Sequence, residues 1–222
     1  TQRNFYIDAD NGNVIRQIRL ALKSKPDFDG PSSNRAWGRL NFSSDAMLLH
    51  PNGKIVSINA TLSKIEVLTL PQEPTTDDQA SFAAVYGGQG IREGLLDGPL
   101  CAALTPKGEI LILETANNRI QAFDTGGNPM KIFNNGRPYF APLKYSAKEY
   151  QYLDMATEYT GYIYLLCYRL DLADYRFYLD IYAPDGTFVS RTNNFSGMKI
   201  AVSYWRDVFS ANMEALKMPG QS

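Results

Sequence analysis

The sequence predicts an all-β fold: a β-propeller of four-stranded blades, with four blades visible, forming a single domain over residues 1–222. Three observations carry this reading. A twelve-residue pattern recurs four times without a gap, at 48–59 (LLHPNGKIVSIN), 103–114 (ALTPKGEILILE), 156–167 (ATEYTGYIYLLC) and 201–212 (AVSYWRDVFSAN). The copies start 55, 53 and 45 residues apart, at or a little beyond the length of a four-stranded blade. After each of the first three copies there is room for a second pair of strands, and turn-forming dipeptides mark two of these pairs.

Each copy reads as an inner hairpin. A short apolar stretch leads to Pro51, Pro106, Tyr159 or Tyr204 at the fourth place, and a polar turn follows. The apolar run resumes at the eighth place with Ile55, Ile110, Ile163 and Val208. Runs this short, separated by three or four turn-forming residues, are strands and not helices.

The outer pairs follow in order. In the first unit they are 64–70 and 81–86. In the second they are 119–123 and 129–133 around a turn at 124–128, and in the third 175–182 and 187–192 around a turn at 183–186. Gly126-Gly127 and Asp185-Gly186 suit hairpin turns, because glycine accepts the positive φ these need. Only ten residues follow the fourth copy, so its outer pair is sought at the other terminus, at 4–9 and 14–18. The blades are then approximately 42–86, 100–133, 152–192, and 198–216 with 3–18. An exact match of inner and outer pairs predicts a ring closed by pairing the N- and C-terminal strands in one sheet. Residues 19–45, 71–99 (outside the strand at 81–86) and 134–150 read as surface links, with a helical turn at 20–23.

Composition narrows the function. An apolar fraction of 44% and a charged fraction of 20% support a packed core and exclude a disordered chain. Lys+Arg 22 against Asp+Glu 23 leaves a net charge of −1, so no nucleic-acid partner is expected. One histidine, His50, and two cysteines, Cys101 and Cys167, cannot supply a zinc site of the usual kind, a histidine-rich centre or a disulfide framework. No apolar run is long enough to span a membrane as a helix. The chain opens at Thr1 without a signal peptide and is read as a piece of a longer polypeptide, with nothing that assigns a compartment.

The second unit carries the most specific pattern. Gly87-Gly-Gln-Gly90, Asp97-Gly98, Pro106-Lys-Gly108, then Glu114, Asn117, Arg119, Ile120, Phe123 and Gly126-Gly127 together resemble the NHL repeat. Glu114 stands where that family usually has Asp. The match covers about 87–133; residues 48–70 fit more loosely, with Asn59 and Lys64 in the Glu and Arg places. The third unit lacks the acidic–Asn–Arg set. Residues 152–192 with 205–216 also resemble the end of propellers found in large bacterial multidomain proteins. The resemblance implies a propeller usually of about six blades, of which four are visible here.

Several groups could carry chemistry, each with a plainer alternative. Glu114 and Arg119 are either a charged surface site or an ion pair pinning a hairpin, with Asn117 bonding the turn. His50 precedes Pro51 at a turn and lacks partners for a metal. Residues 8–12 (DADNG) resemble a calcium loop but lack its later ligands, so a hairpin turn accounts for them better. Asp154, Glu158 and Asp207 are candidates to face a central channel. Glu93 occupies the place of the third glycine of a dinucleotide loop after Gly87-Gly-Gln-Gly90, which argues against that cofactor. Eleven of the fourteen tyrosines fall between 139 and 182. Most lie in expected strands and pack between blades, whereas Tyr139, Phe140, Tyr145 and Tyr150 lie in a link and are the candidate binding surface.

The sequence thus assigns no catalytic residue, no metal ligand and no cofactor. It reads as a non-catalytic interaction or scaffold module that binds protein or carbohydrate. The alternative is a divalent-cation-dependent enzyme of the gluconolactonase or lyase type.

Overall fold

The computed structural model of the chain describes residues 3–7, 14–19, 47–69, 81–134, 136–171, 176–195, 197–203 and 206–211. Among these residues there are sixteen strands and no helix. β1 (Arg3–Ile7) pairs with β2 (Val14–Arg19). β3 (Met47–Leu49), β4 (Lys54–Asn59), β5 (Lys64–Thr69) and β6 (Ser81–Gly87) form one antiparallel sheet in chain order. β7 (Pro99–Leu104), β8 (Ile110–Glu114), β9 (Arg119–Phe123) and β10 (Phe140–Pro142) form a second sheet. β11 (Tyr150–Thr157), β12 (Ile163–Arg169), β13 (Phe177–Tyr182) and β14 (Phe188–Phe195) form a third. β15 (Lys199–Val202) and β16 (Val208–Ala211) make a hairpin of their own.

One turn builds all four inner hairpins. In each, the first residue donates its N–H to the carbonyl four residues on, and the fourth residue donates back to the first. The sets are His50–Lys54, Thr105–Glu109, Glu158–Tyr162 and Ser203–Asp207. This is a three-residue hairpin loop whose last member takes a left-handed conformation. Gly53, Gly108 and Gly161 fill that place, and Arg206 fills it in the fourth copy at φ 68°.

The first strands of successive sheets lie beside one another, β3 against β7, β7 against β11 and β11 against β15. The second sheet is therefore covered on both faces. Every residue of β8 and β9 is buried, which is why residues 110–113 of β8 read as a continuous apolar run with no polar alternation. Tyr86 of β6 packs on Phe123 with ring centroids 5.6 Å apart and donates its hydroxyl to the carbonyl of Asp124. On the other side, Thr157 donates its hydroxyl to the carbonyl of Leu104, and Asn134 N–H bonds the carbonyl of Asp185.

Three expectations are corrected. Among the described residues the termini are not joined in one sheet: β1–β2 and β15–β16 are separate two-stranded sheets with no ladder between them. Counting strands does not specify which edges meet. A tight turn sets the register within each hairpin, but no local signal sets pairing between ends far apart in sequence. Next, 129–133 is not the fourth strand of its sheet. The turn at 124–128 forms and Met130 N–H reaches the carbonyl of Ala122, but pairing stops at the single bridge Phe123–Pro129, where proline has no N–H to give. β10 takes that edge instead, with Phe140, Ala141 and Pro142 opposite Gln121, Ile120 and Arg119. Finally, the links 87–99 and 134–150 are not merely surface loops. Leu96, Ala141 and Leu143 are buried in the core. The expected helical turn at 20–23, most of the link 19–45 and the loop at 8–12 lie outside the described residues.

Candidate functional site

Glu114 ends β8 and Arg119 begins β9, directly opposite in register, so the pair closes the hairpin between them. Glu114 is fully buried. Its Oε1 accepts from Arg119 Nε at 2.7 Å and Gln121 Nε2 at 3.2 Å. Its Oε2 accepts from Asn117 Nδ2 at 2.6 Å, Asp97 N–H at 2.9 Å and Arg119 Nη2 at 3.3 Å. A buried carboxylate needs this many donors to offset its lost hydration.

The same cluster gathers the glycine-rich link. Arg119 donates from Nη1 to the carbonyl of Ile91 at 2.6 Å, and from Nη2 to those of Leu95 at 3.0 Å and Arg92 at 3.3 Å. Asn117 bonds the carbonyl of Gly90, and Gln121 both accepts from Gly94 N–H and donates to Leu95. Backbone groups that the link could not pair with a strand are satisfied by these three side chains. On its outer side the Arg119 guanidinium lies 4.0 Å from the centre of the Phe140 ring.

A cleft of about 370 Å³ opens over this cluster, lined by Ile91, Asn117, Arg119, Arg137, Phe140 and Pro142 along with neighbouring residues. Ile91 is 75% exposed beside it. The amide nitrogens of Asn117 and Asn118 are engaged within the protein, the latter on the carbonyl of Leu143 at 3.4 Å. The cleft therefore offers apolar surface more than amide donors.

The polar position recurs in register. Glu66, Gln121 and Asp180 occupy equivalent places opposite Ser57, Ile112 and Leu165, each beside the residue two places further along the preceding strand. Those neighbours are Asn59 (3.4 Å), Glu114 (3.2 Å) and Cys167 (4.0 Å). In the third sheet the cation comes from β14. Arg191 meets the fully buried Asp180 through Nε–Oδ1 at 2.5 Å and Nη2–Oδ2 at 2.8 Å, with Nη2 also 3.5 Å from Cys167 Sγ. Burial opposes the Arg191 charge, but its bonds to Asp180 outweigh burial and hold the guanidinium above its usual range. Burial, reinforced by Asp180, pushes the Cys167 thiol up to about 12, which makes it a poor nucleophile at neutral pH.

The four expected aromatic residues divide between these two places. Phe140 floors the cleft, and Tyr139 packs beside it at 6.3 Å, with Lys131 Nζ 5.3 Å from the Tyr139 ring. Tyr145 and Tyr150 instead enclose Arg191, and Tyr150 is buried. Sequence reasoning missed Ile91, Arg137, Gln121 and Arg191. Only Arg191 left a signal: Asp180, a charge in the middle of an apolar strand, demands a partner across the following turn.

The remaining candidates have separate tasks. His50 accepts Asn52 N–H on Nδ1 at 3.2 Å, leaving Nε2–H to donate to the carbonyl of Gly108 at 2.9 Å, so it ties the first two inner turns together. Asp154 accepts Ile200 N–H at 2.9 Å and faces Lys199 at 3.4 Å, which anchors β15 to β11. Asp207 closes the fourth turn with Ser203. Among the described residues, no three His, Cys, Asp or Glu side chains converge on a point where an ion would sit.

Glu158, its carboxylate out of contact with solvent, caps the third inner turn. Burial works against its charge. The Thr160 hydroxyl, the N–H groups of Thr160 at 2.9 Å and Tyr162 at 3.3 Å, and Arg206 at 3.9 Å outweigh burial and hold the carboxyl below the ordinary range. An unfolded glutamate titrates near pH ~4.3, so this contribution is complete above that pH and is lost as pH falls through the lower folded value. Glu158→Gln is therefore expected to lower the urea midpoint at neutral pH. The variant and the unmodified chain should converge as pH is lowered from ~4 toward ~2. An equal deficit across that range would show that the charge is not the source.

No model of a known protein family matches the chain, and no curated protein matches it either.

Proposed function

We propose that this chain is a non-catalytic interaction module of a larger polypeptide, a propeller of four-stranded blades related to the NHL repeat, whose partner is a protein segment. The propeller reading is supported by first strands that follow one another in chain order and by one turn repeated in four hairpins. The functional reading rests on one observation: the cleft with exposed Ile91 at its edge and the Arg119–Phe140 stack beneath it. A peptide that places an apolar side chain against Ile91 and Pro142 satisfies such a surface. A sugar would need several free amides or carboxylates for its hydroxyls, and Asn117 and Asn118 have engaged their amide nitrogens internally.

Selection from a displayed random-peptide library tests this. Selected peptides are expected to share an apolar anchor residue. They should lose at least roughly tenfold in affinity for Ile91→Asp, the effect of losing one buried aliphatic contact. That variant should keep the melting temperature of the unmodified chain, because Ile91 is exposed. Peptides that bind Ile91→Asp equally well, or glycans that compete with them, would overturn the proposal.

A further inference from the structure

The chain has a second constellation of binding chemistry, already filled by one of its own side chains. The Arg191 guanidinium carbon lies 3.4 Å from the ring centre of Tyr145, 4.3 Å from that of Tyr150 and 4.5 Å from that of Tyr178. The Asp180 carboxylate takes the guanidinium edge through two bonds at 2.5 and 2.8 Å. Three aromatic faces and a buried carboxylate are the parts of a cation receptor.

The walls and the occupant come from different segments. Tyr145 precedes β11, Tyr150 opens β11, and Tyr178 and Asp180 lie on β13, whereas Arg191 arrives on β14. The walls also brace one another: Tyr145 and Tyr150 are 5.3 Å apart, Tyr150 and Tyr178 meet edge-on at 5.8 Å, and the Tyr152 hydroxyl holds the carbonyl of Tyr145 at 2.9 Å. β14 is the outermost strand of its sheet, its pairing with β13 is shifted twice, and Val189 on it is 51% exposed. The receptor belongs to the better-held part of the sheet and its occupant to the edge.

We propose that Tyr145, Tyr150, Tyr178 and Asp180 form a preorganised site for an alkylguanidinium, filled in cis by Arg191, so that β14 is latched to its sheet as a ligand is held in a pocket. The forked contact with Asp180 selects the ligand class. Two N–H groups in one plane are required, which an alkylguanidinium has and a quaternary ammonium lacks.

Arg191→Ala vacates the site and provides the test. Its melting temperature is expected to fall by on the order of 10 °C, the loss that follows when a buried carboxylate is left alone. Methylguanidinium at about 20 mM should then restore at least half of that loss, saturably, and shift the ring resonances of Tyr145, Tyr150 and Tyr178. Tetramethylammonium and sodium chloride at equal concentration should not, and the unmodified chain should show no gain. Asp180→Asn in the same background should abolish the rescue. If Arg191→Ala does not fold unaided, its folded fraction on refolding with and without methylguanidinium gives the same answer. Absence of saturable rescue, or equal rescue by tetramethylammonium, would overturn the proposal.

Discussion

Replacing Arg119 with alanine is expected to lower the unfolding free energy by about 3–5 kcal/mol, the usual result of removing one partner of a buried ion pair. The guanidinium makes two bonds to fully buried Glu114 and three to the carbonyls of Ile91, Arg92 and Leu95. Alanine leaves the carboxylate with only Asn117, Gln121 and the Asp97 N–H, and leaves those carbonyls without the cation that ordered them. The same change removes the stack on Phe140, which helps hold the short edge strand β10. Urea denaturation measures the effect. A double-mutant cycle with Glu114→Ala should show strong coupling, because deleting both charges removes the uncompensated one. A cost under about 1 kcal/mol would mean that water replaces the guanidinium easily and that the cluster does not hold the link.

Gly127→Ala is expected to cost about 3 kcal/mol, and Gly53→Ala about 1 kcal/mol, although the two glycines share a turn type and nearly the same φ. Gly127 has φ 89° and Gly53 has φ 81°, so the left-handed penalty is common to both. They differ in what a methyl group would meet. At Gly53 nothing lies within 4 Å. At Gly127 it would fall 2.4 Å from Cγ and 2.8 Å from Cβ of Tyr86, whose ring is wedged against Phe123 and cannot withdraw without opening the contact between the first two sheets. Comparing the two variants by thermal unfolding isolates the packing term. Equal losses would show that Tyr86 moves freely and that the first and second sheets are not interlocked there.

Much of the fold was legible in the residues. The repeated inner hairpins follow from a turn that needs one left-handed residue, usually glycine, between two short apolar runs. Arg206 shows that the pattern survives where the glycine does not. The Glu114–Arg119 pair was legible as a possible hairpin pin because its spacing brackets a tight turn. Its reach to Asp97, Ile91 and Leu95 was not legible, since nothing in a glycine-rich segment says which buried donors will satisfy its carbonyls.

What the sequence by itself determined was local: strand class, hairpin positions, the turn type, and which stretches are apolar on both sides. These depend on neighbours within a few residues and are written in periodicity and turn chemistry. Tertiary structure alone decided which edges pair and what the buried charges meet. β10 rather than 129–133 completes the second sheet because Pro129 ends the ladder and Phe140 can cover Arg119. Counting back from the turn at 183–187 places Ser190 opposite Asp180, but the pairing shifts between Ile181 and Tyr182 and brings Arg191 there instead. A single-residue shift in a strand reverses the face that each side chain occupies, and only packing against the tyrosines of another segment settles which register wins.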